Sequence, residues 1–498
     1  MRHAHLICLA LFLVFVRRVQ SSEQISVIAV VLACERSSHL KRTLRSLAKA
    51  TVQSPALPVY VSVDEHPKSY RAVRAATLER NVKQVWQHIP SADYPAQTTR
   101  HRIARHYHFA LSQAFDSREN ANVSHVLVLE DDLLFAPDFL AYMLAAARHL
   151  TRADKNAIVC ASGWNDNGRH ETDMRSARLT TSFPGLGWML PRALWTDYLR
   201  PNWPGAPNST STSIVGIGWD FWLRVAFEAH GWACITPAVP RVFHFGATGS
   251  NVAAQETEQL FASSPLADLP AGSVDWDATL SNVADKQSTA EQVQERLVKG
   301  HHVKSFEDAK RHSATAPVMP YLRESFAHFI AEPLKLWPTP RGHFHHTLLV
   351  QVAPQKDLLL YDARRAAKHF TLPTKILDTG AFRLHRAGRN ASCEQECRAL
   401  GLRCSTSSLE FANSCESLSQ VMPDGCQGGC AYETGNDLPA RVDDEAPLQT
   451  AGMCLIAETG ATKDGRLDCK GTHEWTTRSC ACVEAFGREL KDELKDEL

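Results

Sequence analysis

Glu130-Asp131-Asp132 closes an apolar run from Val126 to Leu129. A strand that ends in clustered carboxylates presents hard oxygen donors at the carboxyl edge of a sheet, where open α/β folds take nucleotides and their divalent metals. The chemistry this suggests is metal-assisted group transfer from a phosphorylated donor. Acids after a strand are more often solvated turn residues, so the surrounding chain has to decide between the two readings. Two further polar groups fall where the same edge would lie: Arg36, just after the apolar run ending at Ala33, and Asp64, which closes the run from Pro58.

The elements that would position these groups alternate between strand and helix. Ile25 to Ala33 is a continuous, largely β-branched run suited to a buried parallel strand. Ser37 to Ala50 follows with Leu40, Leu44 and Leu47 on one helical face and Ser37 as its cap. Pro58 to Asp64 reads as a second strand, Thr99 to Phe115 as a helix, Val126 to Glu130 as a third strand, Asp138 to Leu150 as a helix and Ala157 to Ser162 as a fourth strand. Alternation of this kind implies a mostly parallel sheet with its ligands at the carboxyl ends. The polar stretch Ser263 to Lys310 reads as a linker or exposed helical extension. Structure returns over Tyr321 to Asp362, with a helix around Glu324 to Phe329 and a strand at Thr347 to Val352.

The 498 residues, 44% hydrophobic and 22% charged, suffice for two or three cores. Basic and acidic residues balance at 54 each, so there is no electrostatic reason to expect nucleic acid or an anionic membrane as partner. The apolar run Leu6 to Val16 is too short to cross a bilayer, which takes about 20 residues, and fits a secretory signal, with a short uncleaved anchor as the other possibility raised by Arg17-Arg18. The chain closes with Lys-Asp-Glu-Leu twice, at 491–494 and 495–498, an address read by the KDEL receptor in the lumen of the endoplasmic reticulum and early Golgi. Sequons at Asn122, Asn208 and Asn390 suit the same compartment. Of 14 cysteines, ten lie between Cys393 and Cys482, which reads as a disulfide-stapled module rather than a zinc site.

Several motifs occur in the order found in N-acetylglucosaminyltransferase I and its relative, the protein O-mannose β-1,2-N-acetylglucosaminyltransferase. They are Ala33-Cys34-Glu35-Arg36-Ser37, Ala104-Arg105-His106-Tyr107, the acidic triplet with Ala136-Pro137-Asp138-Phe139, Trp164-Asn165-Asp166-Asn167-Gly168, Phe183 to Trp188, Trp219-Asp220 and His244-Phe245-Gly246. The chain resembles that family from about residue 25 to 255 and, more weakly, over Tyr321 to Asp362. The resemblance implies a GT-A nucleotide-sugar-binding fold, Mn²⁺, UDP-N-acetylglucosamine as donor and inverting β-1,2 transfer to a terminal mannose. It further implies that Asp132 is the metal ligand and that Glu130 and Asp131 contact the donor sugar and ribose. Arg36, Asp64, His106 and Asn251 match positions that hold the nucleotide-sugar. Asp220 matches the general base, and Trp164, Asp166, Trp188 and Trp219 fall on the acceptor side.

This sequence departs from the family in two places. N-acetylglucosaminyltransferase I carries a cysteine after the aspartate that matches Asp64, paired with the one matching Cys34; here Glu65 stands there, so that bridge is lost. The family's Trp-Asp-Asp-Trp reads Trp219-Asp220-Phe221-Trp222. The expected organisation is a signal over 1–22, a catalytic domain over 23–275, a linker and smaller α/β region over 276–388, a cysteine-rich module over 389–486 and a retrieval tail over 487–498. The expected activity is transfer of N-acetylglucosamine to mannose of a glycoprotein glycan, either an N-glycan or an O-mannosyl glycan. A non-catalytic glycan-binding protein of the endoplasmic reticulum is the other class, disfavoured because Asp132 and Asp220 are both present.

Overall fold

The computed structural model describes residues 25–50, 57–90, 98–151, 154–204, 218–246, 261, 264–303, 306–311, 316–321, 326, 330–353, 356–363, 365–372, 383–406, 409, 412–422, 425–457 and 467–484. The chain divides into two compact units, residues 1–165 with 174–179 and 183–284, and residues 166–173 with 180–182 and 285–498.

The first unit is built on an eight-stranded sheet. Its strands are β1 (Val27–Ala33), β2 (Val59–Asp64), β3 (Val82–His88), β4 (His125–Glu130), β6 (Ile158–Ser162), β7 (Ala177–Thr180), β8 (Trp188–Pro191) and β9 (Ala233–Pro237), in the order β3-β2-β1-β4-β8-β6-β9-β7. β3, β2, β1 and β4 run parallel, β8 lies antiparallel between β4 and β6, and β6 and β9 are again parallel. All seven residues of β1 are buried, as a central strand covered on both faces requires. The expected α/β, mostly parallel sheet is therefore present.

Register explains why distant polar residues share one edge. Leu32 pairs with Glu130 and Ala33 with Val63, so the loop holding Arg36, the terminal Asp64 of β2 and the triplet after β4 emerge together. A short antiparallel pair, β5 (Leu133–Phe135) with β10 (Val242–His244), sets His244 opposite Leu133.

Helix α1 (Ser37–Ala50) buries Leu40, Leu44 and Leu47 on the face the periodicity indicates. Each full burial contributes roughly 1.5–3 kcal/mol, which is what seats the helix. Its buried Thr43 hydroxyl donates to the Asp131 carbonyl at 2.8 Å and accepts from Leu133 N–H at 3.2 Å, which fixes the turn carrying the triplet. Ser37 is not the cap: it lies in the first turn, and the Arg36 carbonyl takes the helical bond from Leu40 N–H at 3.0 Å.

The other helices of this unit are α2 (Ser69–Thr77), α3 (Thr99–Asp116), α4 (Phe139–Ala147), α5 (Trp219–His230) and α6 (Trp276–Val283). Thr98 caps α3 by accepting from His101 N–H at 3.1 Å, and Gly231 ends α5 in the left-handed conformation, φ 64°. Not expected from the sequence are α2, β3, β5 and β7 to β10. The helix expected over Asp138 to Leu150 spans Phe139–Ala147, and Asp138 lies before it, forming a buried ion pair with Arg241 at 3.2 Å.

The second unit holds α7 (Lys286–Lys299) and a four-stranded sheet of β11 (His301–His302), β12 (Pro317–Tyr321), β13 (Thr347–Ala353) and β14 (Lys356–Asp362), ordered β11-β12-β14-β13. Val303, Phe326, Leu348, Leu358 and Leu360 form its core. The stretch read as linker or extension thus contains the regular helices α6 and α7. The helix expected around Glu324 to Phe329 lies almost entirely outside the described residues. Cys393 to Cys482 form five disulfides, 393–480, 397–482, 404–469, 415–430 and 426–454. In the first unit Cys160 and Cys234, opposed on β6 and β9, form a further bridge that the sequence reading did not foresee.

Candidate active site

Glu130, half-buried, ends β4, and Asp131 and Asp132 follow almost out of contact with water, each 3% exposed. Arg36 answers two of them: its guanidinium pairs with Asp131 and, at 2.8 Å, with Asp132 Oδ2. His244 Nε2 stands 3.3 Å from the same Asp132 oxygen. Tyr107, on α3, donates its hydroxyl to Glu130 Oε1 at 2.7 Å.

Three carboxylates against one guanidinium and one imidazole leave a surplus of buried negative charge, which shows in their proton affinities. Burial, together with the Asp132 charge and against the pull of Arg36, pushes Asp131 up to about 7. Burial and then the Asp132 charge raise Glu130. Burial also opposes ionisation of Asp132, but the bond and charge of His244 and the Arg36 charge outweigh it and hold Asp132 below its usual range. Burial disfavours the charged form of His244, yet the bond to Asp132 and the charges of Asp132 and Glu130 raise it.

Such a site calls for a cation. Ligand atoms of Glu130, Asp132 and His244 all lie within 4.8 Å of one another. Asp132 Oδ1 and His244 Nδ1 are buried without hydrogen-bond partners, the state in which a polar atom waits for a water or an ion. Gly246 lies against this cluster, since a Cβ there would collide with Asp132 Oδ2. Mixed carboxylate and imidazole donors suit a divalent transition ion, so the residues fit the expected metal.

Asp64 ends β2 as a second buried carboxylate. His88 Nδ1 lies 2.7 Å from its Oδ1, and Arg102 Nε lies 3.6 Å from its Oδ2. Burial would raise it, but the His88 hydrogen bond and the charges of His106, His88 and Arg102 prevail and lower it. His106 is enclosed by α3 and β2. Its Nε2 is 2.9 Å from Ser62 Oγ and its ring stacks on His88 at 5.6 Å. Burial drops its pKa to about 4, so it is a neutral imidazole at neutral pH.

Asp220 stands in the first turn of α5, where a carboxylate is favoured by the helix dipole. Arg224, one turn on, pairs with it at 2.6 Å, and the Asp220 side chain keeps 45% exposure. Its neighbour Trp219 packs on Tyr107 at 4.2 Å, on Trp203 at 5.8 Å and on Trp188 at 6.0 Å. A continuous path therefore runs from Glu130 through Tyr107 and Trp219 to Asp220. Burial raises the Tyr107 hydroxyl well above its ordinary value, helped by the charges of Glu130, Asp220 and Asp132. The phenol remains a donor to Glu130.

A family model described as the GNT-I family matches residues 13–314. The chain belongs to the GNT-I family. An Arabidopsis thaliana protein named alpha-1,3-mannosyl-glycoprotein 2-beta-N-acetylglucosaminyltransferase is 37% identical over 256 residues, covering 50% of this chain and 52% of that protein. The chain thus spans about half the length of the curated relative it matches. Among solved structures, S. aureus TarS 1–349 is similar at a TM-score of 0.28 and 14% identity over 48% of this chain and 70% of that one. The galactosyltransferase LgtC with donor and acceptor sugar analogs is similar at 0.22 and 14% identity over 34% and 60%.

Against the GNT-I pattern, the structure gathers Arg36, Glu130, Asp131 and Asp132 into one cluster and sets Asp64 and His106 together at the neighbouring strand end. Cys34 is a free thiol, and burial with the Asp64 charge pushes it up to about 11. Asn251 lies outside the described residues, as do Asn208, residues 1–24 and residues 485–498. Trp164 and Trp188 are each 1% exposed and Trp219 is 7% exposed. Their ring faces meet protein, Phe261 against Trp164 and Phe183 and Trp219 against Trp188. Asp166 belongs to the second unit, beside Asn167, whose amide donates to the Arg341 carbonyl at 2.9 Å. Tyr107, His88, Arg102, Arg224 and His244 carry no functional signal of their own in the sequence. Tyr107 and His244 stood inside quoted motifs, but nothing in their local sequence says what they face.

Proposed function

We propose that this protein is an inverting glycosyltransferase that moves N-acetylglucosamine from UDP-N-acetylglucosamine to a terminal mannose of a glycoprotein glycan in β-1,2 linkage. The observation that carries the reading is the buried triplet with its unpartnered Asp132 oxygen, in a chain of the GNT-I family. The name of the Arabidopsis thaliana relative specifies an α-1,3-mannosyl glycoprotein, a mannose linked to another sugar, which favours such an acceptor over a mannose attached directly to protein. Mn²⁺ held at Asp132 would offset the charge that gathers on the diphosphate as UDP leaves.

The residues of the chain supply the rest. Arg36 neutralises Asp131 and Asp132 and keeps their oxygens oriented toward the cluster. Asp64, ionised and braced by His88 and Arg102, suits the hydrogen-bonding edge of a uracil or ribose, with neutral His106 behind it. Glu130 and Asp131 serve as acceptors for ribose and sugar hydroxyls. Asn251 is assigned to the donor side, and Trp164, Trp188 and Trp219 to the packed wall of the acceptor side.

Asp220 takes the proton of the mannose 2-hydroxyl as that oxygen bonds to the anomeric carbon, and the bond to the UDP oxygen breaks on the opposite face. One displacement inverts the anomeric configuration. Arg224 holds the carboxylate in place for this and leaves part of it open to the acceptor.

The compartment belongs to the same proposal. Among the described residues 12 cysteines are paired in six disulfides and one is free, a pattern of oxidising compartments. No described helix is long and apolar enough to cross a membrane. The disulfides suit a lumenal enzyme of the endoplasmic reticulum and early Golgi, and the Lys-Asp-Glu-Leu repeat suits retrieval by the KDEL receptor. The test is a transfer assay with UDP-N-acetylglucosamine, Mn²⁺ and mannose-terminated N-glycan and O-mannosyl acceptors. Transfer to the N-glycan is expected, and absence of transfer to either acceptor refutes the proposal.

A further inference from the structure

We infer that His244 is a direct ligand of the divalent cation, so that the protein grips the ion with an imidazole nitrogen as well as the Asp132 carboxylate. The inference rests on the metal-dependent transferase reading and adds a ligand and a metal preference to it.

His244 is held in position by backbone on both sides. It ends β10, paired with Leu133 of β5. Upstream, Arg241 N–H and Val242 N–H both donate to the Gly163 carbonyl, at 2.7 and 3.2 Å, and the Arg241 side chain is buried against Asp138. Downstream, Phe245 N–H donates to the Asp132 carbonyl at 3.0 Å, and the Phe245 ring is covered by His39 at 5.3 Å and Arg42 at 4.2 Å. The imidazole itself packs on Phe261 at 4.7 Å. A ring so confined is preorganised, which is what a metal ligand needs.

The donor spacing agrees. Around one octahedral ion with bonds of about 2.1 Å, neighbouring donors are about 3 Å apart and opposite ones about 4.2 Å. The donors of Glu130, Asp132 and His244 lie within 4.8 Å of one another, within a small closure of that arrangement. A plain ion pair between His244 and Asp132 explains one contact, Nε2 to Oδ2, and leaves Asp132 Oδ1 and His244 Nδ1 buried and unpartnered. A cation accounts for the unpartnered Asp132 Oδ1 and for one imidazole nitrogen of His244. The consequence is selectivity: an all-oxygen site accepts Mg²⁺ or Ca²⁺ readily, whereas an imidazole nitrogen disfavours both relative to the first-row transition ions.

Pulsed electron paramagnetic resonance on the full chain with Mn²⁺ and UDP tests this. The wild type should show nitrogen modulation from a coordinated imidazole, altered on labelling the histidines with ¹⁵N. In His244→Gln the modulation should vanish and Mn²⁺ affinity in the presence of UDP should fall about 10-fold or more, while His39→Gln keeps the modulation. The labelled wild type shows whether any histidine coordinates the ion, and His244→Asn replaces His244→Gln should the latter fail to fold. Bound Mn²⁺ without nitrogen modulation, or modulation that survives in His244→Gln, overturns the inference and leaves the transferase reading standing. Failure of Mn²⁺ to bind at all in the presence of UDP overturns both.

Discussion

Burial of His106 makes the stability of this protein fall in acid by an amount that can be worked out. The folded protein holds His106 near pKa 4 because burial disfavours its charged form, whereas a solvated histidine titrates near 6.5. A histidine with a depressed folded pKa stabilises the fold fully above 6.5 and loses that contribution as pH drops through 6.5 toward 4. At about 1.36 kcal/mol per pK unit, the full difference of about 2.5 units is worth roughly 3.4 kcal/mol. At pH 5 the deficit relative to pH 7.5 is about 2 kcal/mol. His106→Gln removes the titration and keeps a polar partner for Ser62. Denaturant unfolding of both proteins at pH 7.5 and 5.0 should give a wild type that loses about 2 kcal/mol more than the variant over that interval. Equal losses would show that His106 can be protonated in the folded state at little cost, and would refute the argument from burial.

Asp220→Asn cannot accept the acceptor proton, so kcat should drop about 10²-fold or more with donor affinity nearly unchanged; near-normal kcat at saturating substrates would place the base elsewhere. In calorimetry, Asp132→Ala or EDTA should abolish binding of UDP-N-acetylglucosamine, and unaltered affinity in both would sink the metal assignment. Gly246→Ala adds a methyl that collides with Asp132 Oδ2, so metal-dependent donor binding should weaken about 10-fold or more at an almost unchanged melting temperature. Deleting residues 491–498 should send a soluble glycoprotein into the medium, and a product that stays on membranes would mean that the leader acts as an anchor.

The parts of the site that the sequence made legible are those that follow directly from a strand. Arg36, Asp64 and the triplet each stand at or just past the end of an apolar run, and parallel strands ending together put them on one edge. The amphipathic face of α1 was equally plain, because a long helix repeats its period several times. β3 escaped notice because Val82–His88 carries exposed Lys83, Gln84 and Gln87 and alternates only weakly, as an edge strand does. Ten clustered cysteines announce a stapled module without saying who pairs with whom, since the count admits many connectivities.

Tertiary structure alone decided the rest. His244 reaches Asp132 through a pairing of two three-residue strands, β5 and β10, that are too short for any periodic signal and far apart in the chain. Tyr107 links Glu130 to Trp219 only because α3 and α5 pack together. Cys160 and Cys234 meet because β6 and β9 are neighbours in a sheet whose order is not the order of the chain. Local chemistry named the carboxylates, since residue type and strand termination are properties of short stretches. Long-range pairing and burial then determined which of them share charge, which titrate away from their ordinary values, and which histidine stands over the metal site.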